Sequence, residues 1–338
     1  LWAQLRGLAE RDDVESRLVV RDGARWTMTR GPFRRATWRE LPARQWTLLV
    51  QGINLHDRRA DHLMRRFAFL PFARLDDLMV SHAAPGGGVG PHVDSYDVFL
   101  LQGAGERRWR YGQQQDLTLK PRLPLKILAR FAPSHDHVLA RGDILYLPPH
   151  VAHDGIALTP CTTYSIGFRA PGTTELAQAF LDYLRDRVDL PGRYADPDLR
   201  ATSTPARIDP RMQARLASML ARIRVDRRAI ADFAGTWLSE PKPDVFFAPP
   251  AAPRSRAEFA RAAAAHGVAL DVRTQLLYDD AAFYINGVAL APSRAARAAL
   301  VSLANQRALP AARCRLLAAS TMTLLHDWYR DGYLDVDR

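Results

Sequence analysis

The chain has 338 residues, of which 47% are hydrophobic and 25% are charged, a composition typical of a globular protein with two or three domains. It has no apolar run of about 18 residues, so no membrane span is predicted. Its two cysteines, Cys161 and Cys314, are far apart, which argues against a disulfide framework or a zinc cluster and favours a reducing cytoplasm. Because the chain begins at Leu1 rather than at methionine, we expect the natural protein to have further residues before it.

The net charge of +11 favours an anionic environment such as nucleic acid or a nucleoprotein. A competing interpretation is genomic bias, because all basic residues except Lys120, Lys126 and Lys242 are arginines and they are scattered along the chain. Sequence-specific DNA binding is therefore not predicted.

Residues 1–80 combine a helix with strands and turns. Asp22-Gly23 between two apolar runs indicates a hairpin, residues 46–51 predict a strand and residues 56–67 predict a helix. His56 and His62 are six residues apart and do not share a helical face, so no metal role is predicted for them.

Residues 78–169 form a series of short apolar segments separated by glycine and proline. The predicted strands are 78–83, 92–102, 105–112, 125–131, 143–147 and 162–169. This pattern predicts a barrel or sandwich, such as the double-sheet jelly roll of cupins, also called a double-stranded β-helix.

After residue 171 the apolar spacing becomes helical. Leu176, Phe180, Leu184 and Val188 share one face, and a second stripe follows Asp209, the predicted N-cap of a helix that starts with Pro210. These stripes need a partner, either their own domain or a second copy of the chain, and we expect a homodimer.

The proline-rich segment 241–253 reads as a linker to a small α+β unit. That unit has predicted helices at 256–265, 293–305 and 311–330 and a hairpin over 268–290, an arrangement resembling a winged helix. Winged helices bind DNA or proteins, so the fold does not define the function. The predicted fold class is mainly β plus α, with a cupin-type barrel at 1–171, a helical dimerisation region at 172–240 and a winged helix at 241–338.

The glycine-rich turn 85–91 leads into His92-x-Asp94. Alternate residues of a strand share a face, so the two side chains are expected to project together from a strand. They would supply two ligands of the 2-His-1-carboxylate triad that leaves positions open on non-haem Fe(II). Such a pair is common by chance, and a turn followed by a polar strand start explains it equally well.

A third ligand is expected after the apolar strand 143–147 and Pro148-Pro149, where His150 and His153 are candidates. His150 directly follows the turn and is expected to be exposed, so His153 is the predicted ligand. Two imidazoles and one carboxylate without a thiolate suit Fe(II) better than structural zinc.

Arg107 alternates with exposed charges and shares the inward face with Trp109 and Tyr111. A buried guanidinium needs an anion, which 2-oxoglutarate could supply as a bidentate carboxylate. A structural ion pair within the barrel is the alternative. The glycine run 86–88 lacks the Lys-Ser/Thr of a phosphate loop and is expected to bring the backbone close to the metal.

Four motifs together carry a family resemblance. Residues 85–99, 102–110, 142–149 and 164–171 resemble the bacterial JmjC-type ribosomal oxygenases, and the resemblance covers most of the chain but is weakest in the C-terminal unit. It implies a JmjC barrel, a helical dimerisation region and a winged helix. It also implies hydroxylation of an arginine of large-subunit ribosomal protein L-sixteen with Fe(II), 2-oxoglutarate and O2.

The resemblance assigns the iron to His92, Asp94 and His153 and the distal carboxylate of 2-oxoglutarate to Arg107. A serine that often assists is replaced by Ala83, so a hydroxyl such as Ser81, or a water, is expected in its place.

A substrate arginine would need acidic or hydroxyl groups at the cavity mouth, for which Tyr96, Asp97 and Asp154 are candidates. Two alternatives stay open. One is a JmjC-type oxygenase or demethylase acting on another protein, and the other is a non-enzymatic winged-helix regulator with a ligand-sensing cupin.

Overall fold

The computed structural model describes residues 1–336. The N-terminal half is built from antiparallel strands. They are β1 Ser16–Asp22, β2 Arg25–Arg30, β3 Trp46–Val50, β4 Leu75–Ala83, β5 Val98–Ala104, β6 Arg107–Gly112, β7 His135–Leu139, β8 Ile144–Leu147, β9 Ala152–Ala157 and β10 Cys161–Phe168.

Two sheets form the barrel. A seven-stranded sheet has the order β2-β1-β3-β4-β10-β5-β8, and a three-stranded sheet has the order β7-β6-β9. Side chains from both sheets, among them Leu100, Trp109 and Leu147, pack together in the interior. This arrangement confirms the predicted double-stranded β-helix.

The outer face of the larger sheet is covered by helices α1 Trp2–Ala9 and α2 Arg58–Arg65. Leu48 of β3 and Leu78 of β4 are fully buried in the apolar cluster beneath them. Because side chains alternate along a strand, this packing turns Thr47 and Leu49 of β3 toward the barrel interior.

Two of the predicted strands are wrong. Residues 92–102 were predicted as a strand, but the strand begins only at Val98, so His92 and Asp94 lie in a loop. The backbone of this loop bonds to His153 in β9 and to His150 in the turn before β9. Residues 125–131 form no strand beyond an isolated bridge, and their apolar pattern reflects burial of Ile127 and Leu128. Strands β7 and β9 were not predicted.

Three helices follow the barrel: α3 Thr173–Arg185, α4 Pro210–Leu220 and α5 Arg227–Ser239. Asp209 caps α4 as predicted, accepting a hydrogen bond from the Arg211 amide. No side chain of α3 or α4 is buried.

The C-terminal unit has its own core. Its elements are α6 Arg256–His266, β11 Val268–Leu270, β12 Leu276–Tyr278, β13 Phe283–Ile285, β14 Val288–Leu290, α7 Arg294–Gln306, β15 Ala308–Leu309, α8 Ala311–Cys314, α9 Ala319–Arg330 and β16 Leu334–Asp335. The turn at Asp279-Asp280 joins β12 to β13 as predicted. The hairpin over 268–290 is wrong at its start, because β11 pairs with β15 and β16. The helix predicted over 311–330 is divided into α8 and α9.

Ion pairs join the C-terminal part of the chain to the barrel. Lys242 Nζ lies 3.1 Å from Asp76 Oδ1, and Arg307 Nε lies 4.0 Å from Asp61, which also pairs with Arg65 at 3.0 Å. Burial, reinforced by the charge of Arg65, lowers the pKa of Arg307 to about 9. Within residues 1–336, no helix is both long and apolar enough to cross a membrane.

Candidate metal centre and co-substrate cavity

Three side chains predicted as metal ligands converge in the barrel. His153 Nε2 lies 3.6 Å from Asp94 Oδ2, and His92 Nε2 lies 3.9 Å from Asp94 Oδ1. One ligand atom from each residue lies within 4.8 Å of the other two. In the described part of the chain, no other group of three His, Cys, Asp or Glu side chains meets this spacing.

Backbone carbonyls orient both imidazoles. His92 Nδ1 lies 2.8 Å from the Gly90 oxygen, and His153 Nδ1 lies 3.0 Å from the Val151 oxygen. A carbonyl oxygen only accepts, so each Nδ1 carries the hydrogen and each Nε2 keeps its lone pair for a metal.

The protonation of His153 suits the same role. Burial, with a contribution from the charge of His92, lowers the pKa of His153 to about 4, so this imidazole is neutral near pH 7. Two imidazoles and one carboxylate, with no thiolate, form a donor set that fits Fe(II) with open positions.

The backbone holds the two histidines together. The backbones of His92 and His153 exchange two N–H···O bonds, of 3.0 and 2.9 Å. These bonds form an isolated antiparallel bridge rather than part of a continuous strand pairing. The glycine-rich loop before His92 packs so closely on β9 that a Cβ at Gly88 would lie 2.6 Å from the Gly155 oxygen. Small residues are therefore required where the loop approaches the strand that carries His153.

A cavity of about 550 Å³ extends from this cluster between the two sheets. Arg107 of β6 lines it and is 5% exposed, and no described protein group accepts a hydrogen bond from its Nε or Nη2. Among residues 1–336, no carboxylate pairs with Arg107, so the alternative of a structural ion pair finds no support. An anionic ligand would complete this site.

Two of the hydroxyls in the cavity wall lie near the position of Ala83. Ser81 of β4 is buried and its Oγ lies 3.5 Å from the Thr163 carbonyl oxygen. Thr47 of β3, which the sequence analysis did not single out, is also buried and its Oγ1 has no described partner. Strand alternation around 46–51 could have revealed it. Ala83 itself packs against Ala157 and Cys161.

Of the three candidates for the cavity mouth, only Tyr96 lines the cavity. Asp97 lies outside it, where its carboxylate accepts hydrogen bonds from Tyr146 Oη at 2.6 Å and from Arg74 Nη2 at 3.0 Å. Asp154 is buried in an ion pair with Arg110 at 2.6 Å and lines a separate cavity behind the glycine loop. The structure therefore does not bring Asp97 and Asp154 into this site.

Asp77 is a buried carboxylate in the cavity wall that was not predicted from the sequence. Its Oδ2 accepts a hydrogen bond of 3.0 Å from the Gly52 amide, and burial raises its pKa. Burial likewise raises the pKa of Tyr96, with further contributions from the charges of Asp94 and Asp77. No local motif marks Asp77, because its burial depends on the packing of distant segments.

A double-stranded β-helix with this ligand cluster defines an oxygenase barrel of the JmjC type. Residues 62–176 match the JmjC domain, and residues 220–335 match the ROXA-like winged helix.

Known proteins give the family. The ribosomal protein uL16 3-hydroxylase of Escherichia coli is 40% identical over 254 residues, which is 74% of this chain and 67% of the relative. The structure of YcfD, a ribosomal oxygenase from E. coli, has a TM-score of 0.83 and 35% identity, covering 99% of this chain and 90% of that one. Its complex with cobalt and 2-oxoglutarate matches with a TM-score of 0.83, 34% identity and the same coverage. The chain belongs to the bacterial JmjC-domain ribosomal oxygenases, which are Fe(II)- and 2-oxoglutarate-dependent dioxygenases.

Proposed function

We propose that this protein hydroxylates an arginine side chain of ribosomal protein uL16, which is the large-subunit protein L-sixteen named above. The observation that carries the proposal is the presence of the His92–Asp94–His153 cluster and the unpaired Arg107 guanidinium in one cavity. The similarity to the E. coli uL16 3-hydroxylase supports the choice of substrate.

In this proposal His92, Asp94 and His153 hold iron, while Arg107 holds the distal carboxylate of 2-oxoglutarate. The Ser81 hydroxyl, which the sequence offered for the same carboxylate, is not part of the proposal because it faces the Thr163 carbonyl oxygen. Bound iron, 2-oxoglutarate and O2 supply the oxidation: one oxygen atom enters a substrate C–H bond, and the other enters succinate, released with CO2. The protein contributes orientation and exclusion of water. The Nδ1 bonds of the histidines fix both rings, and apolar groups such as Trp109 line the wall.

The wall near the metal cluster suits a substrate guanidinium. The raised pKa of Asp77 reflects the cost of a buried carboxylate, and a bidentate arginine would offset that cost. The Tyr96 ring on the same wall can stack on the cation. Asp97 and Asp154 are not part of the proposal, because other side chains engage their carboxylates.

The test is the intact mass of uL16 after incubation with the protein, Fe(II), 2-oxoglutarate and O2. We expect a gain of about 16 Da for one oxygen atom, and fragmentation should locate it on an arginine. His92→Ala should abolish the gain. The matched control is His150→Ala, since His150 is exposed and outside the cavity, and this variant should remain active.

Other results would redirect the assignment. Succinate formation without modification of uL16 would refute the substrate. Formaldehyde release from a methylated lysine peptide would favour the demethylase alternative, and the absence of succinate with any peptide would favour the regulator.

We further propose a homodimer formed by the helical region 172–240, between the barrel at 1–171 and the winged helix at 241–338. Apolar side chains on α3 and α4 support it, since Leu181 is 64% exposed and Leu220 is 63% exposed. Light scattering should give a dimer mass, and the Leu181→Arg/Leu220→Arg variant should give the monomer mass. Leu316→Arg, an exposed position in the winged helix, is the control. An unchanged mass in the double variant would contradict this interface.

A ribosomal substrate also implies a cytoplasmic location.

A further inference from the structure

The Thr47 hydroxyl, like the Arg107 guanidinium and Trp109 Nε1, is a buried polar group of the cavity without a described protein partner. We propose that it donates a hydrogen bond to the distal carboxylate of 2-oxoglutarate, beside Arg107. This inference rests on the proposed function. It assigns to Thr47 the hydroxyl contact that a serine at the position of Ala83 would otherwise make.

The hydroxyls of this wall differ in what they bond to. Ser81 Oγ donates to the Thr163 carbonyl oxygen, and Thr163 Oγ1 donates to Gln102 Oε1 at 3.0 Å. Thr163 is therefore engaged at a normal distance, and Ser81 has a protein acceptor at 3.5 Å. Thr47 Oγ1, in a residue that is 1% exposed, has no partner among the described residues. Buried polar groups normally have a partner, so a ligand acceptor is expected here.

The register of the strands brings Thr47 and Arg107 to one end of the cavity. Thr47 is directly opposite Ala83 on the neighbouring strand, and Ala83 packs against Ala157. Ala157 is in turn directly opposite Arg107 in the smaller sheet. Directly opposite residues share a face, so this chain of neighbours links the hydroxyl to the guanidinium across the two sheets.

This end is separated from the metal cluster along β9. His153 and Ala157 are four residues apart, which corresponds to about 13 Å of strand. The Arg107 side chain shortens this distance, because its guanidinium carbon lies 5.8 Å from the Trp109 ring, which in turn lies 6.0 Å from the His153 ring. A short dicarboxylate that is anchored at the metal can therefore direct its far carboxylate toward Arg107 and the wall that carries Thr47. One carboxylate has enough lone pairs to accept from both the guanidinium and the hydroxyl.

The experiment measures the dissociation constant of 2-oxoglutarate by calorimetry, with Ni(II) in place of iron so that no turnover occurs. Thr47→Val keeps the shape of the side chain and removes the hydroxyl. We expect an increase of about 10- to 100-fold in the constant, the range for a neutral donor to a charged acceptor. Thr47→Ser should bind like the wild type. Thr47→Val/Ala83→Ser should recover affinity, because residue 83 is directly opposite residue 47.

Three controls separate the outcomes. Ser81→Ala should leave affinity unchanged, and 2-oxovalerate, which lacks the distal carboxylate, should bind Thr47→Val as it binds the wild type. Unaltered 2-oxoglutarate affinity in Thr47→Val would overturn the inference, as would loss in Ser81→Ala alone. If the valine variant folds poorly, Thr47→Ala provides the same test. A wild-type protein that does not bind 2-oxoglutarate would instead refute the proposed function.

Discussion

Arg107→Met tests whether the guanidinium serves a ligand or the fold. Methionine keeps an unbranched apolar side chain beside Trp109, over whose ring the guanidinium carbon lies at 5.8 Å, and it removes the charge. In the wild type the Nε and Nη2 donors of Arg107 are buried without a protein acceptor. The two roles therefore predict opposite effects on the protein without ligand.

The magnitude follows from these two donors. An unsatisfied buried donor costs about 1–3 kcal/mol, and access of solvent to a cavity of this size reduces that cost. We expect Arg107→Met to raise the free energy of unfolding without ligand by about 1–2 kcal/mol, or a few degrees in Tm. With ligand, the loss of two charge-assisted hydrogen bonds, at about 1.5–3 kcal/mol each, should weaken 2-oxoglutarate binding by at least about 100-fold.

Differential scanning calorimetry with and without 2-oxoglutarate and Ni(II) measures both effects. The ligand should raise the Tm of the wild type and leave that of Arg107→Met unchanged. Arg108→Met is the matched control, because Arg108 is exposed and pairs with Asp136 on the surface. A Tm several degrees below the wild type without ligand would refute the reasoning and indicate that the Arg107 side chain stabilises the fold.

Three further positions test the fold and the surroundings of the site. Asp57→Ala should lower stability by about 1 kcal/mol through loss of the α2 cap. The hydrogen bond from Arg59 lowers the pKa of Asp57 to about 2, so the charged carboxylate stabilises the fold above pH 3.8. This stabilisation is lost as the pH falls toward 2. The difference in Tm between the wild type and Asp57→Asn should therefore disappear over this pH range. Gly88→Ala should cost about 1–3 kcal/mol and weaken Ni(II) binding measured by calorimetry, because its Cβ would meet the Gly155 oxygen at 2.6 Å. Lys242→Ala should leave Tm nearly unchanged but lower KM for uL16, because Asp76 lines the cavity and, with only Arg169 left as a partner at 3.7 Å, its carboxylate attracts a cationic substrate more strongly.

Each has a result that would contradict it. A pH-independent gap between wild type and Asp57→Asn would show that the carboxylate charge is unimportant. Gly172→Ala, where the added methyl meets nothing within 4 Å, is the control for Gly88→Ala and should be neutral; equal effects would rule out the proposed clash. An unchanged KM in Lys242→Ala would separate the C-terminal segment from the cavity.

The convergence of His92, Asp94 and His153 could be predicted from sequence because a metal site needs its ligands at motif spacing. The three side chains meet as predicted, although the strand expected for the first two is a loop. They meet because the loop's backbone bonds to β9 bring the side chains together. Arg107 was found by alternation, which holds along a regular strand such as β6.

The residues that were missed or misplaced depend on tertiary packing. Asp77 and Thr47 become functional candidates only because helices cover the opposite face of their sheet. Asp97 and Asp154 were predicted to line the site because they lie close in sequence to the predicted ligands. Their carboxylates instead bond to groups brought by other strands or segments, which no short motif reveals.

The reciprocal backbone bonds between His92 and His153 have a consequence for how a metal would be captured. Amide groups fix the spacing of the two histidines, and the Gly90 and Val151 carbonyls fix their rings, so protein atoms alone set the position of both Nε2 lone pairs. Metal binding then requires no rearrangement of the backbone between these two ligands, and the ordering of this pair is part of folding rather than a cost of binding.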